Sequence, residues 1–188
     1  MEILTLDVTL VGLRPVMFDR YPGENSTKLE PGQKLYLNER KEIGLPAINI
    51  MSLLSAHNTN SAPKRLRDKR KYKDICNACL AFVSIGPEFI QFKREGAPIV
   101  FGEFVNDHDE KSGCVVHRSV ARLDKGIPNP KVRPALPLPW TLSFQLSMIP
   151  NREIKEEEIK NLIIEAGRAI GIGTYRGVFG KYEVGVWE

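Results

Sequence analysis

The chain has 188 residues and a formal net charge of +4, and its composition is 42% hydrophobic and 27% charged. These values match those of soluble globular domains and exclude a wholly disordered chain. No run of 18 apolar residues is present, and no basic region precedes the apolar N-terminal stretch, so we expect neither a membrane-spanning segment nor a secretory signal. Three cysteines cannot pair completely, which favours a reducing, cytoplasmic location.

The first third of the chain predicts a strand, an inserted excursion and a helix. Apolar and polar residues alternate over residues 2–10, as in a half-buried strand. Prolines and glycines interrupt residues 14–41, which we interpret as a loop or short hairpin that projects from the core. A helix is expected to begin at Pro46, because proline suits a first helical turn, and to end near Asn58. Residues 58–71 are polar without an apolar period and are expected to be mobile.

The middle of the chain predicts short elements separated by loops. A helix is expected at residues 72–81, and strands are expected at residues 82–85, 89–92 and 114–123. Residues 124–139 contain five prolines, which predicts an extended connector.

The last third gives the clearest pattern. Residues 140–148 alternate strictly between apolar and polar side chains, which predicts a strand. Apolar residues at helical spacing predict a helix over residues 151–170, with three glutamates near its N-terminus, where the helix dipole favours anions. A glycine-rich segment at residues 171–180 and a final strand at residues 181–187 follow.

Without its insertions, the predicted order of elements is strand, helix, two strands, helix, strand. This βαββαβ order is typical of the ferredoxin-like fold that RNA-recognition modules share, in which two helices pack on one face of an antiparallel sheet. We therefore predict a single α+β domain over residues 1–188, with a ferredoxin-like core and large insertions.

A basic segment at residues 64–73 has the sequence KRLRDKRKYK and carries a charge of +6, so the rest of the chain is slightly acidic. Such a local concentration of charge indicates contact with a polyanion, and a solvated face is the alternative. The predicted phosphate-binding cations of this segment are Lys64, Arg65, Arg67, Lys69, Arg70, Lys71 and Lys73.

The glycine-rich segment, GIGTYRGVFG, surrounds Arg176 with four glycines and two aromatic residues. Glycine permits sharp turns and lets backbone donors approach an anion. We expect Arg176 to bind a phosphate, Tyr175 to stack on a base, and Lys181 to add a further cation. A helix cap at Gly171 followed by a tight turn is the alternative interpretation. The four glycines counted in this predicted site are Gly171, Gly173, Gly177 and Gly180.

Residues 171–180 resemble the C-terminal glycine-rich motif of the repeat-associated (RAMP) RNA-binding superfamily of CRISPR effector complexes. Residues 44–54 (GLPAINIMSLL) resemble the entry to the first helix in the backbone subunits of that superfamily, with Ala47 and Asn49 where glycine and serine are usual. The resemblance implies binding of single-stranded RNA through its backbone by subunits that assemble side by side along the strand. It also implies that Arg14 and the excursion clasp the strand or a neighbouring subunit.

A second resemblance concerns Arg133-Pro134, Trp140, residues 165–167 and the glycine-rich segment. Together they are similar to a family of phage and prophage proteins without assigned chemistry. This similarity implies a viral or mobile-element origin and no particular activity.

The spacing Cys76-x-x-Cys79 and Cys114-x-x-His117 offers the residue types of a zinc site. No glycine or proline lies beside the first pair to form a knuckle. The second pair lies on a predicted strand, where residues three apart face opposite sides. We therefore expect buried thiols, no bound metal and no cofactor.

The function that these features favour is binding of single-stranded nucleic acid, with RNA favoured over DNA, in a homo-oligomer or larger complex and away from membranes. One alternative is a metal-independent endoribonuclease in which His57, Tyr175 and a lysine act as general acid and base. A second alternative is a phage-encoded protein–protein interaction, structural or counter-defence module.

Overall fold

The computed structural model describes residues 2–122 and 126–188. Within them the strands are β1 (Leu4–Gly12), β2 (Val16–Met17), β3 (Tyr36–Leu37), β4 (Ile43–Pro46), β5 (Val83–Gly86), β6 (Phe89–Arg94), β7 (Ala97–Pro98), β8 (Val115–Arg122), β9 (Pro128–Leu136), β10 (Thr141–Met148) and β11 (Tyr182–Trp187). The α-helices are α1 (Ala47–Ser55), α2 (Ala62–Leu66), α3 (Tyr72–Phe82) and α4 (Glu156–Ala169), and 3₁₀ helices cover Pro31–Lys34 and Glu110–Ser112. The end of the predicted strand at Leu123 and the start of the predicted connector, residues 124 and 125, lie outside the described residues.

The larger of two sheets is antiparallel and has the order β11-β1-β10-β6-β4-β3. β5 also pairs with β10, next to β6, and β7 pairs with β6. The predicted α+β class with an antiparallel sheet is confirmed. Strands β1, β5, β6, β8, β10 and β11 and helices α1, α3 and α4 lie where the residue pattern predicted them, to within a few residues, whereas β2, β4, β7, β9 and α2 were not predicted.

The core lies between this sheet and the helices. Alternate residues of β1 and β10 meet across the pair in register, with Leu6 opposite Leu146 and Val8 opposite Phe144. All four side chains are buried and face α1 and α4, whose buried residues recur at helical spacing. Burial of each such side chain stabilises the fold by roughly 1.5–3 kcal/mol. Because one face of each strand and helix is buried, apolar residues recur with a period of two in the strands and of 3.6 in the helices, and the sequence shows both patterns.

The opposite face of β1 and β10 is lined by hydroxyl groups. Thr5 lies 3.2 Å from Ser147 and Thr9 lies 2.8 Å from Ser143, each pair hydrogen-bonded across the two strands. The outward residues of these two strands include one carboxylate, Asp7, and neither a cation nor an aromatic ring. These two strands therefore offer no phosphate-binding cation and no stacking ring on this face.

A smaller sheet of order β2-β9-β8 corrects two of the predictions. The expected connector at residues 124–139 is, from Pro128 to Leu136, a strand that pairs with β8 over eight residue pairs. Its prolines at 128, 130 and 134 share one hydrogen-bonding side, because that side alternates along an antiparallel strand. On that side Pro134 accepts a bond from the Phe18 amide, so no proline N–H is needed.

The two ends of the excursion at residues 14–41 are packed into the core, whereas residues 21–30 in its middle are mostly exposed. Val16, Met17, Phe18 and Leu35 are buried, and β2 joins the smaller sheet through β9. The rings of Phe18, Phe92 and Trp140 form a chain of edge-to-face contacts, with centroids 5.9 and 5.4 Å apart. Because the excursion has little regular secondary structure, burial of the Phe18 ring in this chain of contacts contributes to holding it in place.

Residues 58–71, which were expected to be mobile because they show no apolar period, contain the short helix α2. Ser61 caps it by accepting a hydrogen bond from the Lys64 amide, and Ala62 and Pro63 are buried. Immediately after α2, the Arg67 guanidinium binds Glu158 at 2.7 Å and Glu165 at 3.0 Å on α4. The missing apolar period reflects the length of α2, which is too short to show one.

The tight contact between Gly12 and Trp140 gives a test of this packing. A Cβ at Gly12 would overlap the buried indole ring, whereas one at Gly102 would make ordinary contacts. We expect Gly12→Ala to lower the free energy of unfolding by about 1–3 kcal/mol, because overpacking forces the ring or the strand to move. Gly102→Ala is the matched control, and urea denaturation of both variants measures the difference. Equal losses in the two variants would contradict the packing described here.

Candidate nucleic-acid interface

The glycine-rich loop, residues 171–180, begins as a helix cap. Beyond the end of α4, Gly171 adopts a φ of +87° and its amide bonds to the Ala166 carbonyl at 2.9 Å. Gly180 closes the loop at a φ of +69°, where a Cβ would overlap the Ile172 carbonyl oxygen. Gly173 and Gly177 also have left-handed φ values. The cap that the sequence offered as an alternative is therefore present, and the loop is a compact, closed turn.

Arg176 ties this loop to the rest of the molecule. Its guanidinium donates to the carbonyls of Gly173, Asn60 and Asn49 at 3.0–3.2 Å. It also donates to the Asn49 side-chain oxygen at 3.1 Å and to the Ser52 hydroxyl at 3.3 Å. Among the described residues it has no carboxylate partner, and burial lowers the pKa of Arg176. The side chain that was expected to bind a phosphate is thus mainly bound to its own chain.

The position of Arg176 brings the two predicted parts of the site together. Three cations donate to carbonyls of one exposed turn, residues 57–60: Lys64 to His57 at 2.8 Å, Arg65 to Thr59 at 2.9 Å and Arg176 to Asn60 at 3.2 Å. All of these acceptors are neutral. A concentration of positive charge without a carboxylate is unfavourable by itself and becomes favourable when an anion binds.

The other cations of the basic segment divide into two groups. Arg67 is held by two carboxylates of α4, and its hydrogen bond to Glu165 is the main cause that raises its pKa. It is therefore a structural tie and is not available to a phosphate. By contrast, Lys69, Arg70, Lys71 and Lys73 are exposed, and Arg70 makes only a long ion pair of 3.5 Å with Asp68 while its side chain stays 89% exposed.

Arg14 and Lys181 lie together beside the end of the glycine-rich loop. The amide of Arg14 donates to the Lys181 carbonyl at 3.2 Å, and the Lys181 ammonium caps α4 by donating to the Arg168 carbonyl at 2.6 Å. Burial, and secondly the positive charge of Arg14, lower the pKa of Lys181. These two residues add positive charge where the loop ends, next to Gly180.

An aromatic cluster on the same loop was only partly predicted. Tyr175 is 54% exposed with a φ of +53°, and its ring centroid lies 5.8 Å from that of Phe179. Phe179 in turn lies 5.2 Å from His117 on β8. The spacing of four residues between the two aromatic rings was visible in the sequence. No sequence signal predicted His117, because it joins the cluster only through the position of the smaller sheet.

The acid–base set considered for cleavage is not assembled. The His57 ring packs edge-on against Tyr72, with centroids 6.3 Å apart, and in the described part of the chain no hydrogen bond or ring contact joins His57 to Tyr175. The histidine nearest to Tyr175 in these ring contacts is His117, because both side chains contact the ring of Phe179.

The cysteines lie in two separate parts of the core. Cys76 and Cys79 are buried on α3, and Cys114 is buried before β8. Burial raises the pKa of the Cys79 thiol to about 12 and raises that of Cys114 further. No group of three or more metal-binding side chains is found in residues 2–122 and 126–188.

No protein-family model matches the chain, and no curated protein matches it in sequence. Of the helices in the described residues, none has the length and apolar character needed to cross a membrane.

The bonds of Arg176 predict that this residue contributes to stability. We expect Arg176→Ala to lower the free energy of unfolding by about 2 kcal/mol or more, because it leaves Asn49 and Ser52 without a charged donor. Arg65→Ala removes one exposed hydrogen bond of the same kind and should cost about 0.5 kcal/mol or less. Urea denaturation of both variants measures the difference, and a silent Arg176→Ala would contradict the role of the guanidinium as a tie.

Proposed function

We propose that the protein binds single-stranded nucleic acid, with phosphates along the basic segment and one or two bases on the aromatic cluster. The convergence of Lys64, Arg65 and Arg176 on the 57–60 turn supports this most directly. Arg176 is more than 100 residues from the other two cations in the chain, and all three bond to an exposed turn. Within the described residues none of them is paired with a carboxylate. A phosphodiester backbone is a polyanion that can contact several such neighbouring cations at once.

The aromatic cluster favours a single strand over a duplex. A base stacks on a tyrosine ring only when it is unpaired and turned outward. Tyr175 is exposed next to Arg176, the residue that joins the loop to the 57–60 turn. RNA is preferred over DNA in this proposal because of the resemblance of residues 44–54 and 171–180 to the RAMP superfamily, which also motivates assembly of several chains along one strand.

We further propose that β1, β5, β10 and β11, with α1 and α4, form a ferredoxin-like core. In support of this, β1 and β10 pair with each other, β11 pairs with the free edge of β1, and β5 pairs with the free edge of β10. All three pairings are antiparallel. In this proposal the hydroxyl-lined face is not the binding face, in contrast to RNA-recognition modules, whose sheets carry aromatic rings for stacking.

The salt dependence of binding tests the phosphate contacts. If the four exposed cations Lys69, Arg70, Lys71 and Lys73 each contact a phosphate, the logarithm of the affinity should fall with the logarithm of salt concentration with a slope of about −3. The triple variant Lys69→Glu, Arg70→Glu and Lys71→Glu should reduce this slope to about −1. Fluorescence anisotropy with a labelled oligonucleotide at several salt concentrations measures both slopes.

A matched control changes the same charge elsewhere. Arg40→Glu, Lys41→Glu and Lys111→Glu alter three exposed cations outside the proposed site and should leave the slope unchanged. An equal effect of both triple variants would show that the basic segment acts only through its contribution to the net charge.

Incubation of labelled RNA with the wild-type protein in chelator should leave the RNA intact, whereas cleavage would favour the endoribonuclease alternative.

The stacking role of Tyr175 predicts a separation of binding from stability. Tyr175→Ala should weaken oligonucleotide binding by about 1–3 kcal/mol, because one base loses its stacking partner. Tyr175→Phe keeps the ring and should bind like the wild type. Because the side chain is exposed, both variants should unfold at the same urea concentration as the wild type. Equal weakening by the two variants would exclude stacking as the contribution of Tyr175.

A further inference from the structure

A second basic surface lies outside the proposed interface. Residues 19–34 and β9 enclose a cleft of about 610 Å³, within the range of volumes that small-molecule ligands occupy. Its lining includes the cations Arg20, Lys28, Lys34, Arg118 and Lys131 and the carboxylates of Asp19 and Glu30. None of these residues belongs to the basic segment or to the glycine-rich loop.

One of the two carboxylates in this cleft, that of Asp19, is already neutralised. Asp19 accepts a hydrogen bond from Arg133 at 2.6 Å and lies 3.6 Å from the Lys34 ammonium. Lys28 and Lys131 have no carboxylate partner in residues 2–122 and 126–188. The cleft therefore keeps a positive charge that an anionic ligand would neutralise.

The walls are held in place by the same residues. Lys34 donates to the Val132 carbonyl at 2.7 Å and so fixes the 3₁₀ helix Pro31–Lys34 against β9. Arg20 donates through its Nε to the Gln33 carbonyl at 3.2 Å. This single bond uses one of the five N–H groups of the guanidinium.

Apart from the polar side chains of Thr27 and Asn129, the remaining lining is apolar. Pro22, Pro31 and Pro130 lie around the cleft together with Leu29 and Val132. Proline rings are flat, apolar surfaces with fixed backbone angles, and an aromatic base can pack against them at little entropic cost. Cations beside apolar walls give a site with one part for phosphates and one part for a base.

We propose that this cleft binds a nucleoside polyphosphate. Lys28, Lys131 and the free N–H groups of Arg20 bind the phosphates through charge-assisted hydrogen bonds, and the proline-lined wall packs against the base. The binding is independent of the strand-binding interface proposed above, because the two surfaces share no residue.

Isothermal titration calorimetry with ATP tests the proposal on the full chain. The wild type should bind one ATP per chain, more weakly as the salt concentration rises. The double variant Lys28→Glu and Lys131→Glu should lose about tenfold or more in affinity, since two charge-assisted contacts become repulsive. Lys69→Glu with Lys71→Glu changes the net charge equally and should leave ATP affinity unchanged. A melting curve of each variant checks that it is folded.

Inorganic tripolyphosphate and an oligonucleotide separate the possible ligands. Tripolyphosphate should bind more weakly than ATP, because it makes no contact with the proline-lined wall. Absence of ATP binding, equal losses in the two double variants, or equal affinity for ATP and tripolyphosphate would overturn the proposal. So would a Lys28→Glu and Lys131→Glu variant that keeps ATP binding but loses the oligonucleotide. Failure of oligonucleotide binding in the wild type alone would overturn only the strand-binding proposal.

Discussion

The guanidinium of Arg176 joins three segments that are distant in the sequence: the glycine-rich loop, the first turn of α1 and the turn that precedes α2. Burial of a cation without a carboxylate costs free energy, and five hydrogen bonds to neutral oxygens offset that cost. This side chain therefore holds the glycine-rich loop against the turn that leads into the basic segment. The residue at the centre of the candidate site is therefore a structural part of it.

The bonding partners of the cations divide them into those that stabilise the fold and those that are available to a ligand. Arg67 and Arg176 are committed to the fold, the first through carboxylates of α4 and the second through neutral oxygens. The lysines after α2 have no such commitments and remain exposed. Since a cation that is already paired gains little from a phosphate, affinity for a polyanion depends on the uncommitted ones. The same reasoning separates Lys34, which is tied to Asp19, from Lys28 and Lys131 in the second cleft.

Sequence patterns predicted the strands and helices that bury apolar residues at regular spacing. They missed the elements and contacts that depend on strand pairing or on hydrogen bonds to distant residues. β1, β10 and α4 follow from periods of two and 3.6 because each buries one face against the core. β9 was missed because proline normally argues against a strand, and only the pairing partners show that its prolines need no donor. The engagement of Arg67 and Arg176 was also beyond prediction, since their partners lie 91 to 127 residues away in the chain.

The prolines of β9 have a consequence for the behaviour of the protein in concentrated solution. On this side of β9 the carbonyls of Pro134 and Val132 are bonded by Phe18 and Lys34, whereas no strand of the described residues pairs with it at residues 128 and 130. Such open edges are templates on which another chain can add a strand. At residues 128 and 130 this edge offers carbonyl oxygens but no N–H groups. An incoming strand would leave its own acceptors unpaired at these positions. The prolines that made β9 hard to predict from the sequence thus protect the edge of the smaller sheet against edge-to-edge aggregation.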